Sequence, residues 1–151
     1  MTKVVQALLS GMLFTFIIDF FLFLGLKLNY IKPLGVDVFY NVFFVDNQNW
    51  TVFFAVSMIV GFLIMYANNF FKLTIIGFLF VAVFLTLIPS IGYSVGEKIF
   101  MKKDITLHNK KFTFRGDVYY IGRKKITFYD KDLKKVILLD KNEILENINE
   151  I

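Results

Sequence analysis

The sequence predicts an α+β membrane protein: three transmembrane helices, then a small SH3-like or Sm-like β-barrel closed by a short C-terminal helix. Three observations predict this. Apolar residues make up 57% of the 151 positions, twenty of them Phe, with only two Pro, a balance foreign to an ordinary soluble domain of this length. Long apolar runs fill roughly the first two thirds of the chain, each near the length that a bilayer core requires. From Asp104 onward the texture changes to short alternating stretches bounded by turn residues, the pattern of half-buried strands.

Charge divides the chain at the same place. Up to residue 97, Lys3, Lys27, Lys32 and Lys72 balance Asp19, Asp37, Asp46 and Glu97, so the net charge of +5 belongs entirely to 98–151. Cysteine is absent, which excludes disulfides, thiolate metal sites and a cysteine nucleophile. The heavy use of Phe, Ile, Lys and Asn fits an AT-rich bacterial genome, and the expected location is a bacterial inner membrane.

The first span is expected at 4–28, a helix rising roughly 37 Å against a hydrocarbon core of ~30 Å. Its apolar run is too long for a signal peptide, contains Asp19 and is followed by no A-x-A site. The second and third spans are expected at 51–69 and 73–93, an antiparallel hairpin with Trp50 and Tyr66 as interfacial anchors. Pro89 is expected to kink the third span near its end. The stretch 33–45 is apolar apart from Asp37 and Asn41 and too short to span, so it reads as an interfacial or re-entrant helix, or as an ordered loop on the barrel. Three crossings would put residues 29–50 and the tail on one side of the bilayer. The excess of lysines on that side points to the cytoplasm.

In the tail, turns are expected at 122–125 and 130–134, with about five strands in all and a bend or bulge at Gly116. Asp140 followed by Glu143 resembles a capping box, with Ile144, Leu145, Ile148 and Ile151 on one face of a closing helix. So small a core predicts that 98–151 alone is weakly stable or oligomeric.

Candidate chemistry is sparse. Gly92-Tyr93-Ser94-Val95-Gly96 fits G-x-S-x-G, but a nucleophile elbow needs a strand before the serine and a helix after it. Here an apolar helix precedes Ser94 and a basic segment follows, so the glycines read as a loosened helix end feeding a flexible connector. The single histidine, His108, has no second His or Cys to complete a zinc site. No phosphate-binding loop, paired catalytic carboxylates, cofactor motif or small-molecule substrate site is evident, and no enzyme is expected.

Asp19 is the foremost candidate, because an ionisable group at membrane depth must face protein or water. Ala7, Gly11, Thr15 and Asp19 recur every four residues as a small and polar stripe, with Ser57 and Gly61 of the second span, or Gly77, Thr86 and Ser90 of the third, as facing positions. The stripe reads as a helix-packing contact, within the chain or to a partner, or as a cation or proton site. Lys98, Lys102 and Lys103 form a juxtamembrane cluster suited to anionic lipid headgroups. The tail's aromatics are needed for its core and its charges are mixed in sign, which argues against nucleic acid.

In layout the chain resembles short NfeD-type membrane proteins and, more loosely, the pore-plus-β-domain part of small mechanosensitive channels. The resemblance is one of architecture and carries over no functional residue. The expected function is that of a non-enzymatic accessory, scaffold or chaperone-like assembly protein. Its helices would bind a larger membrane protein or a second copy, and its β domain a surface partner. The rival is a homo-oligomeric channel using Asp19.

Overall fold

The structure is a computed structural model, and it describes residues 2–109 and 112–144. Helix α1 (Lys3–Leu26) runs without a break into a π-helical turn, Lys27–Ile31. Together they form one helix of 29 residues with a mean hydropathy of 2.2 over its most apolar window, long and apolar enough to cross a membrane. It extends past the expected end at residue 28.

The expected segment at 33–45 divides in two. Residues 36–39 carry no regular secondary structure, and a short helix α2 (Tyr40–Asn47) follows, so Asp37 lies outside the helix that carries Asn41. Helix α3 (Trp50–Tyr66) then turns away from α2 by 83°. The Asn49 side chain caps it by accepting from the Val52 N–H at 3.1 Å. Asn68 caps α4 (Asn69–Leu85) by the same device, accepting from Phe71 N–H at 2.8 Å, so α4 starts four residues before the expected span at 73–93.

Pro89 has a stronger effect than a kink. The chain breaks after Leu85, and Pro89 opens a new helix, α5 (Pro89–Phe100), turned 90° from α4. Proline suits the first turn of a helix, where its missing N–H has no intrahelical partner to lose. With both bent pairs counted as single crossings, the chain has up to three; by unbroken length it has one. The expected α3–α4 hairpin is joined by a tight turn but hardly packed. Helix α1 is the hub, pairing closely with α3 along its first half and with α4 more lightly.

The tail is a four-stranded antiparallel meander of β1 (Lys102–His108), β2 (Thr113–Ile121), β3 (Lys125–Asp130) and β4 (Lys135–Asp140). It is an open sheet, not the expected barrel of about five strands. A single bridge, Asn109 to Ile144, links the β1 end to the segment after β4 among the described residues. The hairpin turns fall where the sequence puts them, with Gly122 N–H donating to the Lys125 carbonyl at 2.9 Å. Gly116 is not a bulge. It is a close approach, where an added Cβ would lie 1.8 Å from the Tyr129 carbonyl oxygen. The irregularities sit instead between Lys102 and Ile105, where Asp104 takes a left-handed φ of 57°, and between Val118 and Tyr120.

That second bulge explains why closure is unnecessary. Val118 pairs with Phe128 while Tyr120 pairs with Thr127, so the extra residue, Tyr119, sends Val118 and Tyr120, two positions apart, to opposite faces. Val118 joins Leu107, Ile126, Phe128, Leu139 and Ile144 in a small core on one face. Tyr120 joins Phe23, Leu26, Tyr30, Ile31, Val36 and Phe43 on the other. The sheet covers its second face with residues from the foot of the long helix and α2 rather than with itself. After β4, Asp140 accepts from Asn142 N–H at 3.0 Å and caps a single 3₁₀ turn, Lys141–Glu143. Ile144, expected on the closing helix, is extended and bridged to Asn109 instead; the rest of that helix, at residues 145–151, lies outside the described residues.

Candidate functional site

Two constellations stand out, one inside the helical layer and one where that layer meets the sheet. The first is the α1–α3 contact. A Cβ added to Gly11 would lie 1.9 Å from the Ser57 carbonyl oxygen, and one added to Gly61 would lie 2.1 Å from the Ala7 carbonyl oxygen. Small residues on both helices thus let the two backbones touch. Ala7, Gly11, Thr15, Ser57 and Gly61 are all buried there. The Thr15 and Ser57 hydroxyls have no hydrogen-bond partner among the described residues, an uncommon state for buried oxygens. Of the other facing positions, Thr86 packs against Gly25, whereas Gly77 has open space around it.

Asp19 lies one turn beyond Thr15, half-buried, and accepts a hydrogen bond from the Gln48 side chain at 2.8 Å. Gln48 sits in the elbow between α2 and α3, so the carboxylate ties that elbow to α1. Tyr40 adds a second tie, its hydroxyl donating to the Phe20 carbonyl at 2.7 Å. A phenylalanine cluster of Phe16, Phe20, Phe23, Phe43 and Phe44 surrounds these polar links with edge-on ring contacts.

The second constellation is built around the foot of α1. Pro89 and the break before it leave the Thr86 carbonyl without a helical partner, and the Asn29 side chain donates to it at 2.8 Å. Gly92 and Gly96, one turn apart on α5, let that helix lie against Asn29 and Tyr30. A Cβ at either glycine would come within 3 Å of those side chains. The G-x-S-x-G stretch is therefore a packing motif inside a helix, not a loosened connector. Ser94 faces away, its hydroxyl donating to the Ser90 carbonyl at 2.9 Å. Histidine 108 is on β1, with Nδ1 3.0 Å from the Thr113 hydroxyl.

Tyr30 is fully buried at this junction, stacks on Phe100, and donates its hydroxyl to the Tyr119 carbonyl of β2 at 2.8 Å. Beside it, Phe43 of α2 packs on Tyr120, and Asn47 donates to the Tyr120 hydroxyl at 3.2 Å. Burial pushes the Tyr120 phenol above its ordinary pKa, and the Asn47 bond offsets part of that. Arg123, in the β2–β3 turn, grips Asp46 with a two-pronged contact at 2.6–2.9 Å. The Asp46 carboxylate raises the guanidinium's pKa further. Residues 29–50 and the sheet are thus joined by an aromatic layer, two neutral hydrogen bonds and an ion pair.

The lysine cluster is more divided than its spacing suggests. Lys98 is exposed in the last turn of α5, Lys102 begins β1, and Lys103 pairs with Glu97 at 2.5 Å, which raises its pKa. No group of three or more metal-ligating side chains gathers among the described residues. The residues that sequence reasoning missed are Asn29, Tyr30, Phe43, Asp46 and Arg123, all at the foot of α1. The available signals were the four-residue spacing of Gly92 and Gly96 and the odd doubling of Tyr119-Tyr120. No protein-family description, curated protein or solved structure matches the chain.

Proposed function

We propose that the chain is a non-enzymatic, multi-pass protein of a bacterial inner membrane that acts as an accessory or scaffold. In this reading α1, α3 and α4 each cross the bilayer, α2 and α5 lie along its surface, and the β domain is cytoplasmic. At 17 residues each, α3 and α4 would rise about 25 Å, enough for a locally thinned core. Trp50 and Tyr66, exposed at opposite ends of α3, have the places of interfacial anchors.

The observation that carries the accessory reading is the state of α4. Of its 17 residues only Val83 is buried; Phe70, Leu73, Phe78 and Val81 are open, and nothing comes within 4 Å of a Cβ placed on Gly77. A glycine on an unpacked membrane helix costs stability and gives nothing to lipid contact, whereas it admits a second helix closely. The partner helix belongs to a larger membrane protein or to a second copy. Gentle detergent extraction should yield a stoichiometric complex that Gly77→Leu disrupts while abundance holds. A monomeric native protein, or a complex indifferent to Gly77→Leu, would refute this reading.

A channel that uses Asp19 is the second reading. The Gln48 hydrogen bond favours a structural role for Asp19 over a conducting one. Proteoliposomes separate the two, since only a channel loses ion flux in Asp19→Asn at normal abundance.

A further inference from the structure

A cleft of about 630 Å³ opens between the 36–46 segment and the β2–β3 turn, bordering the second constellation at Asp46, Tyr120 and Arg123. Its wall on the membrane side carries Val38, Phe39 and Val42; its floor on the sheet is Thr127 and Leu138. The floor exists because of the bulge at Tyr119. Tyr120, Thr127 and Leu138 share the outward face of the sheet; Phe43 of α2 packs on Tyr120, Thr127 is buried, and Leu138 stays exposed. Phe39 is 78% exposed and Leu138 57%, so both sides of the opening are apolar.

The rim is cationic. Arg123, Lys124 and Lys125 line it together with Asp37 and Asp46. Arg123 and Asp46 neutralise each other, and neither lysine has an ion pair among the described residues. Two lysines therefore face one uncommitted carboxylate at the mouth of an apolar groove.

We infer that this cleft binds one anionic phospholipid, its phosphate between Lys124 and Lys125 and an acyl chain along Phe39, Val42 and Leu138. The inference rests on the reading that the apolar helices lie in a bilayer. The wall 36–42 follows directly on the 29-residue apolar helix, so the mouth lies at the border of the lipid. Two-part chemistry selects the occupant. A free phosphate would use the lysines and leave Phe39 and Leu138 bare, and an acidic peptide has no call for an open apolar slot beside the bilayer.

The full-length chain, reconstituted in phosphatidylcholine vesicles with and without phosphatidylglycerol, tests this by flotation. Native mass spectrometry of the detergent-extracted protein then counts the lipids retained. Phosphatidylglycerol should be kept in preference to phosphatidylcholine at one molecule per chain. Lys124→Gln and Lys125→Gln should each weaken retention about fivefold, the scale of one surface lysine acting on an acidic lipid. Leu138→Ser should weaken it with no change of charge. Lys134→Gln with Lys135→Gln removes two charges, twice that of either single variant, at the far end of the β3–β4 hairpin and should still leave retention within about twofold. Equal retention of both lipids, equal loss in the Lys134/Lys135 variant, or full competition by glycerol phosphate or an acidic peptide would overturn the inference. A chain that fails to float with either vesicle overturns the membrane reading as well, whereas one that floats without lipid preference overturns the cleft alone.

Discussion

Three glycines in the helical layer share a residue type and differ in consequence. Gly11 and Gly61 sit where backbones touch, with 1.9 and 2.1 Å available to a new Cβ, while Gly77 has open space. Gly11→Ala and Gly61→Ala should each cost about 3 kcal/mol in a micelle unfolding titration, the upper end of the usual overpacking range. Gly77→Ala should change the isolated chain by no more than about 0.5 kcal/mol in the same titration. Ser57 gives the opposite sign. Its hydroxyl is buried and has no partner among the described residues, so Ser57→Ala should stabilise the chain by about 1 kcal/mol, the low end of the desolvation cost removed. The four-residue spacing of Ala7, Gly11 and Thr15 made this contact legible in the sequence. The spacing shows which face is small, but it is silent on which other helix meets it. Ser57 and Gly77 were equal candidates until the helices were placed.

Among the elements, period and composition located α1, α3 and the start of α4 to within a few residues, but they gave no helix directions and read the α5 stretch as a helix end feeding a connector. A proline near a helix end is compatible with a kink or a break. Here the choice was made by Asn29, which supplies the donor that the Thr86 carbonyl loses, and by the two glycines that let α5 turn onto α1. Both partners lie more than fifty positions away, beyond the reach of any local window. The sheet shows the same limit. Its strands were visible as alternation, while the bulge at Tyr119 follows from what lies on either face. One element-level contact is testable by acid. Lys131 pairs with Asp104 and lies 3.3 Å from Asp117, and the ammonium holds the Asp104 carboxyl below its usual range. A carboxyl depressed on folding contributes stability above its unfolded pKa of about 3.9 and loses it as the pH falls further. Acid titrations of the native chain and of Lys131→Gln should therefore differ near neutral pH and converge once the pH falls below the lowered native pKa of Asp104. The pair is solvent-exposed, so 0.5 M salt should shrink the difference.

At the scale of the whole molecule, the boundary that charge draws at residue 97 is not a boundary in packing. The sheet's second face is finished by residues 23–43, and a fragment 98–151 would bare Tyr120 and the surface that Tyr30 and Phe43 cover. That fragment should be weakly folded or self-associated. A high melting temperature independent of concentration would contradict this, and so would a monomer in sedimentation. In the intact chain, Arg123→Ala leaves the Asp46 carboxylate without its guanidinium, and limited proteolysis should then cut the 98–144 region faster while the helices stay protected.

Tyr30 belongs to the same unbroken rod as Lys3, and its hydroxyl holds the β2 backbone at the rod's lower end. No slack neck separates shaft from blade. When a bilayer thins or thickens, a spanning helix answers by leaning. With α1 as such a span, the lean would swing the sheet against the lipid surface, as an oar turns its blade. Labels on α1 and β4 should keep their mutual distance in bilayers of different thickness while the sheet's angle to the surface changes.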